Sequence, residues 1–178
     1  PDKVKAMAAD GSDVVEVFEI LRVWAMGVSN DRTRIAFSCG DPNQVDNFGL
    51  TFSDSIQHTW MYDVNAESIS VLASGNINDE CHVFSPNDET LFVCRRYDFK
   101  PDGLFSGYRI ASHALPSGAP VWVTEEESQT FTLTPEPSVD GKTLWFTHVR
   151  LEGAKQIRSV RKLTLPDGEP ELVLTEAS

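Results

Sequence analysis

The sequence predicts an all-β fold assembled from a repeated four-stranded antiparallel unit. Three observations carry this expectation. A serine-led polar turn occurs three times, a second turn-and-strand motif recurs with nearly the same period, and short apolar runs alternate with clusters of Gly, Pro, Asn, Asp and Ser.

The first motif is clearest in Ser138-Val139-Asp140-Gly141-Lys142-Thr143-Leu144-Trp145-Phe146-Thr147, where a polar turn runs straight into an apolar strand. It is matched without a gap by the ten residues from Ser85 and the ten from Ser29, at spacings of 53 and 56 residues. Asp-Gly and Asn-Asp tolerate the positive φ of a tight turn, and Ser and Asp side chains bond nearby backbone amides. The second motif is Val64-Asn65-Ala66-Glu67, Leu115-Pro116-Ser117-Gly118 and Leu165-Pro166-Asp167-Gly168, each leading to a strand, at spacings of 51 and 50 residues. Proline pre-sets φ for a turn and cannot sit within a central strand.

These motifs divide each unit into four strands. Strand A is expected at Val23 to Val28, Cys81 to Phe84 and Phe131 to Pro135, and strand B at Ile35 to Ser38, Leu91 to Cys94 and Leu144 to Thr147. Strand C is expected at Thr59 to Val64, Tyr108 to Leu115 and Ile157 to Leu165, and strand D at Ile69 to Leu72, Val121 to Thr124 and Leu172 to Thr175. Four antiparallel strands per roughly 50 residues is the unit of a β-propeller blade.

The opening residues fit the same frame, because Val4 to Gly11 followed by Val14 to Phe18 copies the C-turn-D half of a blade. The expected organisation is one propeller segment over residues 1–178: a C-D hairpin at 1–18, then blades at 22–73, 79–124 and 130–175. An open arc would leave a sheet edge and the apolar faces of its end blades exposed. The expectation is therefore a ring of about six to eight blades, completed by the same longer chain or by a second chain. Pro1 is not an initiator, and residues 1–17 lack the basic start and continuous apolar run of a signal peptide.

Composition narrows the function classes. With 15 Lys+Arg against 27 Asp+Glu the net charge is −12, which argues against nucleic acid, whose phosphates need a basic surface. No run approaches the roughly 18 apolar residues of a membrane span. Cys39, Cys81 and Cys94 are odd in number and irregularly spaced, indicating neither a disulfide framework nor a zinc knuckle.

The Ser-(Pro)-Asp-Gly-Lys-x-Leu-x-Phe pattern at Ser138, with its less ideal copies at Ser85 and Ser29, resembles the WD-like repeats of TolB-type propellers. The Leu165 to Thr175 hairpin is similar to that family too. Two departures stand out: Asn30-Asp31-Arg32 replaces Pro-Asp-Gly, and the connection from Cys39 to Gln57 is unusually long. The resemblance implies a repeat rather than an activity. It covers periplasmic scaffolds, the propellers of prolyl-oligopeptidase-type peptidases and oligogalacturonate lyases, and it implies a periplasmic or extracellular location.

Strand direction alternates through a blade, so A-B and C-D turns share one end and B-C and D-A connections share the other. The expected long, unlike connections, Cys39 to Gln57, Arg95 to Gly107, His148 to Gln156, Ala73 to Glu80 and Glu125 to Thr130, all fall on the second end. Loops that vary on a repeating scaffold are where binding usually lives. Asp41, Asp46, Asp79, Glu80, Arg95, Arg96 and Tyr97 are accordingly the expected contact residues for a protein or small ligand.

Sharper chemistry is not visible. The chain has no GxSxG, HExxH, GxGxxG or P-loop, and no nucleophile with a credible neighbour, so no catalytic residue and no cofactor are assigned. His82, on an innermost strand, is a weak metal candidate through the resemblance to propeller lyases; His58, His113 and His148 occupy other blade positions. Asp41, Asn43, Asp46 and Asn47 lack calcium-loop spacing, and Glu125 to Glu127 is a solvated charge run. Trp60, Trp122 and Trp145 are expected between blades, as is Trp24 by default. The leading reading is a non-catalytic propeller scaffold; the alternatives are the propeller of a larger hydrolase and a metal-dependent oligogalacturonate lyase.

Overall fold

A computed structural model describes residues 2–8, 10–20, 23, 25–40, 57–97, 107–125 and 130–175. The described residues form fourteen strands and no helix. A hairpin of β1 (Asp2–Ala6) and β2 (Val15–Ile20) comes first. The first blade is β3 (Ala25–Val28), β4 (Arg34–Gly40), β5 (Gln57–Asp63) and β6 (Ser68–Ile77), hydrogen-bonded in that order. The second is β7 (Asp79–Phe84), β8 (Thr90–Tyr97), β9 (Gly107–Ala114) and β10 (Val121–Trp122), and the third is β11 (Thr130–Pro137), β12 (Thr143–Glu152), β13 (Lys155–Thr164) and β14 (Glu171–Thr175). Neighbours within each blade are antiparallel, and one parallel bridge, Phe131 to Tyr108, joins the second and third blades into an eight-stranded sheet.

Each expected strand is present, but several run further than the apolar residues alone suggest. The stretch His148 to Gln156 is not a long loop: β12 continues to Glu152 and β13 starts at Lys155. Gly153, at φ 61°, supplies the left-handed residue that a tight hairpin needs. Ala73 to Glu80 is likewise no loop, since only Asn78 separates β6 from β7. Backbone pairing with a neighbouring strand, rather than side-chain hydrophobicity, extends these elements.

The serine-led turns are built alike. Ser29, Ser85 and Ser138 each donate a hydroxyl bond to the residue two positions on, Asp31 (2.6 Å), Asn87 (2.7 Å) and Asp140 (2.6 Å). Each hydroxyl also accepts the amide five residues on, at 2.9 Å from Arg34, Thr90 and Thr143. Bonds from Ser29 and Thr33 hold the Asp31 carboxyl down at about 2. Arg32, Asp88 and Gly141 occupy one position, with φ of 62°, 58° and 69°.

An L-residue in that conformation costs about 1–2 kcal/mol, and Asp88 offsets the cost by tying two blades together. Its Oδ1 accepts the Asn30 amide and Asn30 Nδ2, both at 2.8 Å, and its Oδ2 accepts the Asp31 amide at 2.9 Å. Asn30 Nδ2 also donates to the Ser85 carbonyl at 2.9 Å, and Arg34 Nη2 to the Asp88 carbonyl at 2.7 Å. The first two turns therefore lie side by side, and Gly141 of the third approaches Pro86.

The core consists of blade-to-blade contacts. Ile35, Phe37 and Tyr62 of the first blade meet Val4, Val17 and Phe18 of the hairpin; Ala36 and Met61 meet Leu91, Val93 and Ala111 of the second blade. Phe92 and Ile110 of the second blade meet Leu144, Phe146 and Leu163 of the third. Alternate residues of strand B thus serve opposite neighbours, as a pleated strand requires. Burying one such side chain contributes about 1.5–3 kcal/mol. Ala36, Phe92 and Trp145 share one repeat position; the first two are 0% and 3% exposed, whereas Trp145, with no blade beyond it in these 178 residues, is 38% exposed.

The tryptophans divide accordingly. Trp60 packs with the first blade's cluster, while Trp122 is 42% exposed and carries the Arg109 guanidinium 4.3 Å above its ring. An inter-blade role thus fits Trp60 and not Trp122, while Trp145 holds the repeat position that Ala36 and Phe92 fill between blades; Trp24 lies outside the described residues.

Asp88→Ala removes the acceptor of three donors at this joint and is expected to destabilise the chain by about 2–4 kcal/mol. Asp88→Asn, which keeps one oxygen, is expected to cost less than half as much. Urea unfolding followed by circular dichroism measures both.

Candidate functional site

Five of the seven expected contact residues are described, and they stand on strands rather than loops. Asp79 and Glu80 open β7, and Arg95, Arg96 and Tyr97 close β8, with Asp79 opposite Arg95 and Glu80 opposite Cys94. Asp41 and Asp46, with the rest of the first long connection, lie outside the described residues, as do Glu126 and Glu127. Because successive residues of a strand face opposite ways, the five separate into two groups.

Asp79 and Arg95 form a buried pair between the first and second blades. Arg95 donates from Nε to Oδ1 and from Nη2 to Oδ2, both at 2.6 Å, with the Asp79 side chain 0% and the Arg95 side chain 7% exposed. Thr59 of the first blade adds a 2.5 Å bond to Oδ2. His113 completes the group, its Nε2 3.0 Å from Arg95 Nη2 and its Nδ1 3.3 Å from the Gly118 carbonyl. Burial works to raise the Asp79 pKa, but bonds from Arg95, His113 and Thr59 and the Arg95 charge outweigh it, and the carboxyl lies well below its usual range. This pair is an interlock inside the fold and not an open contact surface.

Glu80, Arg96 and Tyr108 form the second group. Arg96 donates from Nε to the Tyr108 hydroxyl at 2.6 Å and from Nη2 to Glu80 Oε1 at 2.9 Å, and Tyr108 donates to the same oxygen at 2.9 Å. The Arg96 side chain is 9% exposed and that of Glu80 33%. Burial, then the Glu80 charge, pushes the Tyr108 hydroxyl above its ordinary value, so it stays protonated and donating. Tyr97 is buried, and the Arg109 guanidinium lies 5.9 Å from its ring.

His82 is buried rather than presented to an open channel. Its Nε2 lies 3.1 Å from Ser38 Oγ of the first blade. Desolvation first, and then His113 and Arg95, lower its pKa to about 4 despite Asp79, so the ring is neutral at pH 7. The equivalent residues of the neighbouring inner strands are Met26 and Pro135, and no group of three metal-ligating side chains occurs among the described residues. His148 is buried in β12, and His58 stands opposite Cys39 in the first blade.

Thr59, His113 and Tyr108 are members of these groups that the sequence reading did not select. A histidine in the run Ile110-Ala111-Ser112-His113, opposite Leu91, was the available signal. On the other end of the blades, a groove of about 960 Å³ opens between the second and third blades, walled by Phe92, Trp122, Pro86, Val139, Lys142 and Pro166.

No protein-family model and no curated protein matches the chain. Solved structures do. A TolB-type protein from Agrobacterium tumefaciens is similar over 97% of this chain and 56% of its own, at 12% identity and a TM-score of 0.72. A prolyl endopeptidase is similar over 99% of this chain and 27% of its own, at 18% identity and a TM-score of 0.63. An oligogalacturonate lyase solved with manganese is similar over 98% of this chain and 47% of its own, at 14% identity and a TM-score of 0.63. The chain thus spans about half, or less, of the proteins it resembles. The likeness shows the fold, a TolB-like β-propeller.

Asp79→Asn leaves Arg95 buried without its countercharge and is expected to cost about 3–5 kcal/mol in urea unfolding. Because the folded pKa of Asp79 is depressed, its contribution is complete above the ordinary carboxylate pKa of about 4 and declines as pH falls below it. The same Asp79→Asn chain should accordingly lose that part of the acid dependence.

His82 acts in a different window. Above its ordinary value of 6.5 both folded and unfolded states are neutral there, and between 6.5 and about 4 only the unfolded state takes the proton. Stability is expected to fall as pH drops through this range, and His82→Gln is expected to flatten that limb when urea midpoints are compared from pH 7 to pH 4.

Proposed function

We propose that the chain is a non-catalytic propeller segment that binds a protein or small ligand at its B-C and D-A end. The Glu80, Arg96 and Tyr108 group carries this reading. It combines a partly exposed carboxylate with a guanidinium and a phenol whose directions are set by one another, at the end of the blade where the longest connections leave the sheet. Fixed donors and acceptors of this kind confer specificity without reorganisation on binding. The remaining blades, from the same longer chain or from a second one, cover the face around Trp145 by the contact already made over Phe92.

The second reading is the propeller of a larger hydrolase. The likeness to a prolyl endopeptidase, which covers 27% of that protein, supports it. The two readings share the binding end and differ in whether a catalytic domain is attached. A lyase reading rests on the likeness to an oligogalacturonate lyase and on His82, whose Nε2 is bonded to Ser38 Oγ.

Full-length protein screened against immobilised peptides and oligosaccharides tests the proposal. For the ligand retained, Glu80→Gln is expected to weaken binding about tenfold, the loss of a charge-assisted hydrogen bond, while Lys142→Gln on the opposite end leaves it unchanged. Weakening by Lys142→Gln alone would place the contact in the turn-face groove and overturn the reading.

A further inference from the structure

We propose that Cys81 and Cys94 form a redox-active dithiol, in which Cys81 attacks low-molecular-weight disulfides and Cys94 resolves the product into a cross-strand disulfide. The observation behind it is a β-bulge that the second and third blades share. In β7 the register shifts between Glu80 and Val83, and in β11 it shifts between Leu133 and Glu136. Cys81 and Thr134 occupy the same place in the two bulges, four residues before the turn serine, and both take positive φ, 55° and 51°. Cys94 and Thr147 occupy the same place on the partnering B strands.

The third blade shows what this geometry does to the side chains. Thr134 Oγ1 and Thr147 Oγ1 lie 3.0 Å apart, in direct hydrogen-bond contact. The same bulge, with the same backbone twist at its first residue, sets Cys81 and Cys94 in the second blade at the places that Thr134 and Thr147 hold in the third. Cys94 is opposite Glu80, the residue before Cys81. Cys81 and His82 together stand opposite Val93, so Cys81 and Cys94 are diagonal neighbours across the bulge, as Thr134 and Thr147 are in the third blade.

The two thiols have unequal environments, as an attacking and a resolving thiol require. Both are free; Cys81 is half-buried and Cys94 is 0% exposed. The Cys94 hydrogen bond lowers the Cys81 pKa to about 7 against the effects of burial and Glu80, and the same contact with burial pushes Cys94 up. Near neutral pH a substantial fraction of Cys81 is thiolate, the nucleophilic form.

With glutathione disulfide as oxidant the exchange balances. The Cys81 thiolate attacks one sulfur of glutathione disulfide, the disulfide bond breaks, and one glutathione leaves as thiolate. Cys94 then attacks the Cys81 sulfur of the mixed disulfide, its thiol proton passes to water or to the departing sulfur, and the second glutathione leaves. Two protein thiols are oxidised to one disulfide, and one glutathione disulfide is reduced to two thiols.

The test uses the full chain with Cys39→Ser, reduced and then incubated with glutathione disulfide, and reads peptide masses without reduction. The expected product is a Cys81–Cys94 cross-linked peptide with no glutathione retained, formed at a rate that rises with pH through about 7. Cys94→Thr, which copies Thr147 of the third blade, is expected to trap one glutathione on Cys81, and Cys81→Ser is expected to leave Cys94 unmodified. The cross-link needs no further variant, so the test survives if Cys94→Thr does not fold. Glutathione retained on Cys81 in the presence of Cys94, Cys94 reacting at the same rate without Cys81, or two thiols that stay unmodified in the folded chain would each overturn the assignment.

Discussion

Everything in this fold follows from the need to cover both faces of each small sheet. A four-stranded antiparallel blade is apolar on both sides here, because strand B alternates residues that face the preceding blade with residues that face the next. Ile35 and Phe37 look one way and Ala36 the other; Leu91 and Val93 look one way and Phe92 the other. No blade can satisfy itself. Stacking is then the only arrangement that keeps water from these faces, and the exposure of Trp145 and Leu174 on the third blade records where stacking stops.

Apolar contact is non-directional, so it does not by itself fix how two blades are aligned. Directional bonds do that at each end. At the turn end the Asp88 carboxylate holds the Asn30 and Asp31 amides of the neighbouring turn, and at the loop end Thr59 of the first blade reaches Asp79 of the second. Asp79 also illustrates what a buried charge demands: burial alone would favour the neutral acid, and three donors with one cation reverse that preference. The result is a joint that is costly to break and is specific about register.

The parts of the fold that were legible in the sequence are those dictated locally. Ser29, Ser85 and Ser138 announce their turns because the side-chain bonds that make each turn lie within five residues of the serine. Pairing across distance was not legible. Nothing near His148 or Gly153 says that β12 continues to Glu152, because the partner that extends it is β13. Polar residues at Asp79 and Arg95 read as loop because charges usually are, and only the register that sets them opposite one another shows them to be an internal pair. Glu80 differs from its buried neighbour because the strand pleat turns it the other way, leaving its side chain 33% exposed while that of its partner Arg96 is 9% exposed.

The inner-strand bulge explains how a repeating scaffold acquires unlike chemistry at equivalent places. One extra residue sends two successive side chains of β7 to different surroundings: His82 meets Ser38 of the first blade, and Cys81 takes the place that Thr134 holds beside Thr147 in the third. Within the turns the serine and the Asp or Asn two residues on are consumed in making the turn, so those two positions vary little from blade to blade. At the bulge the backbone sets the conformation and leaves the side chain free to differ, so Cys81 and Thr134 share a φ but not a chemistry. The repeat thus separates the residues that build the blade from those that distinguish one blade from the next, and the bulge is where the second kind reaches the inner strand.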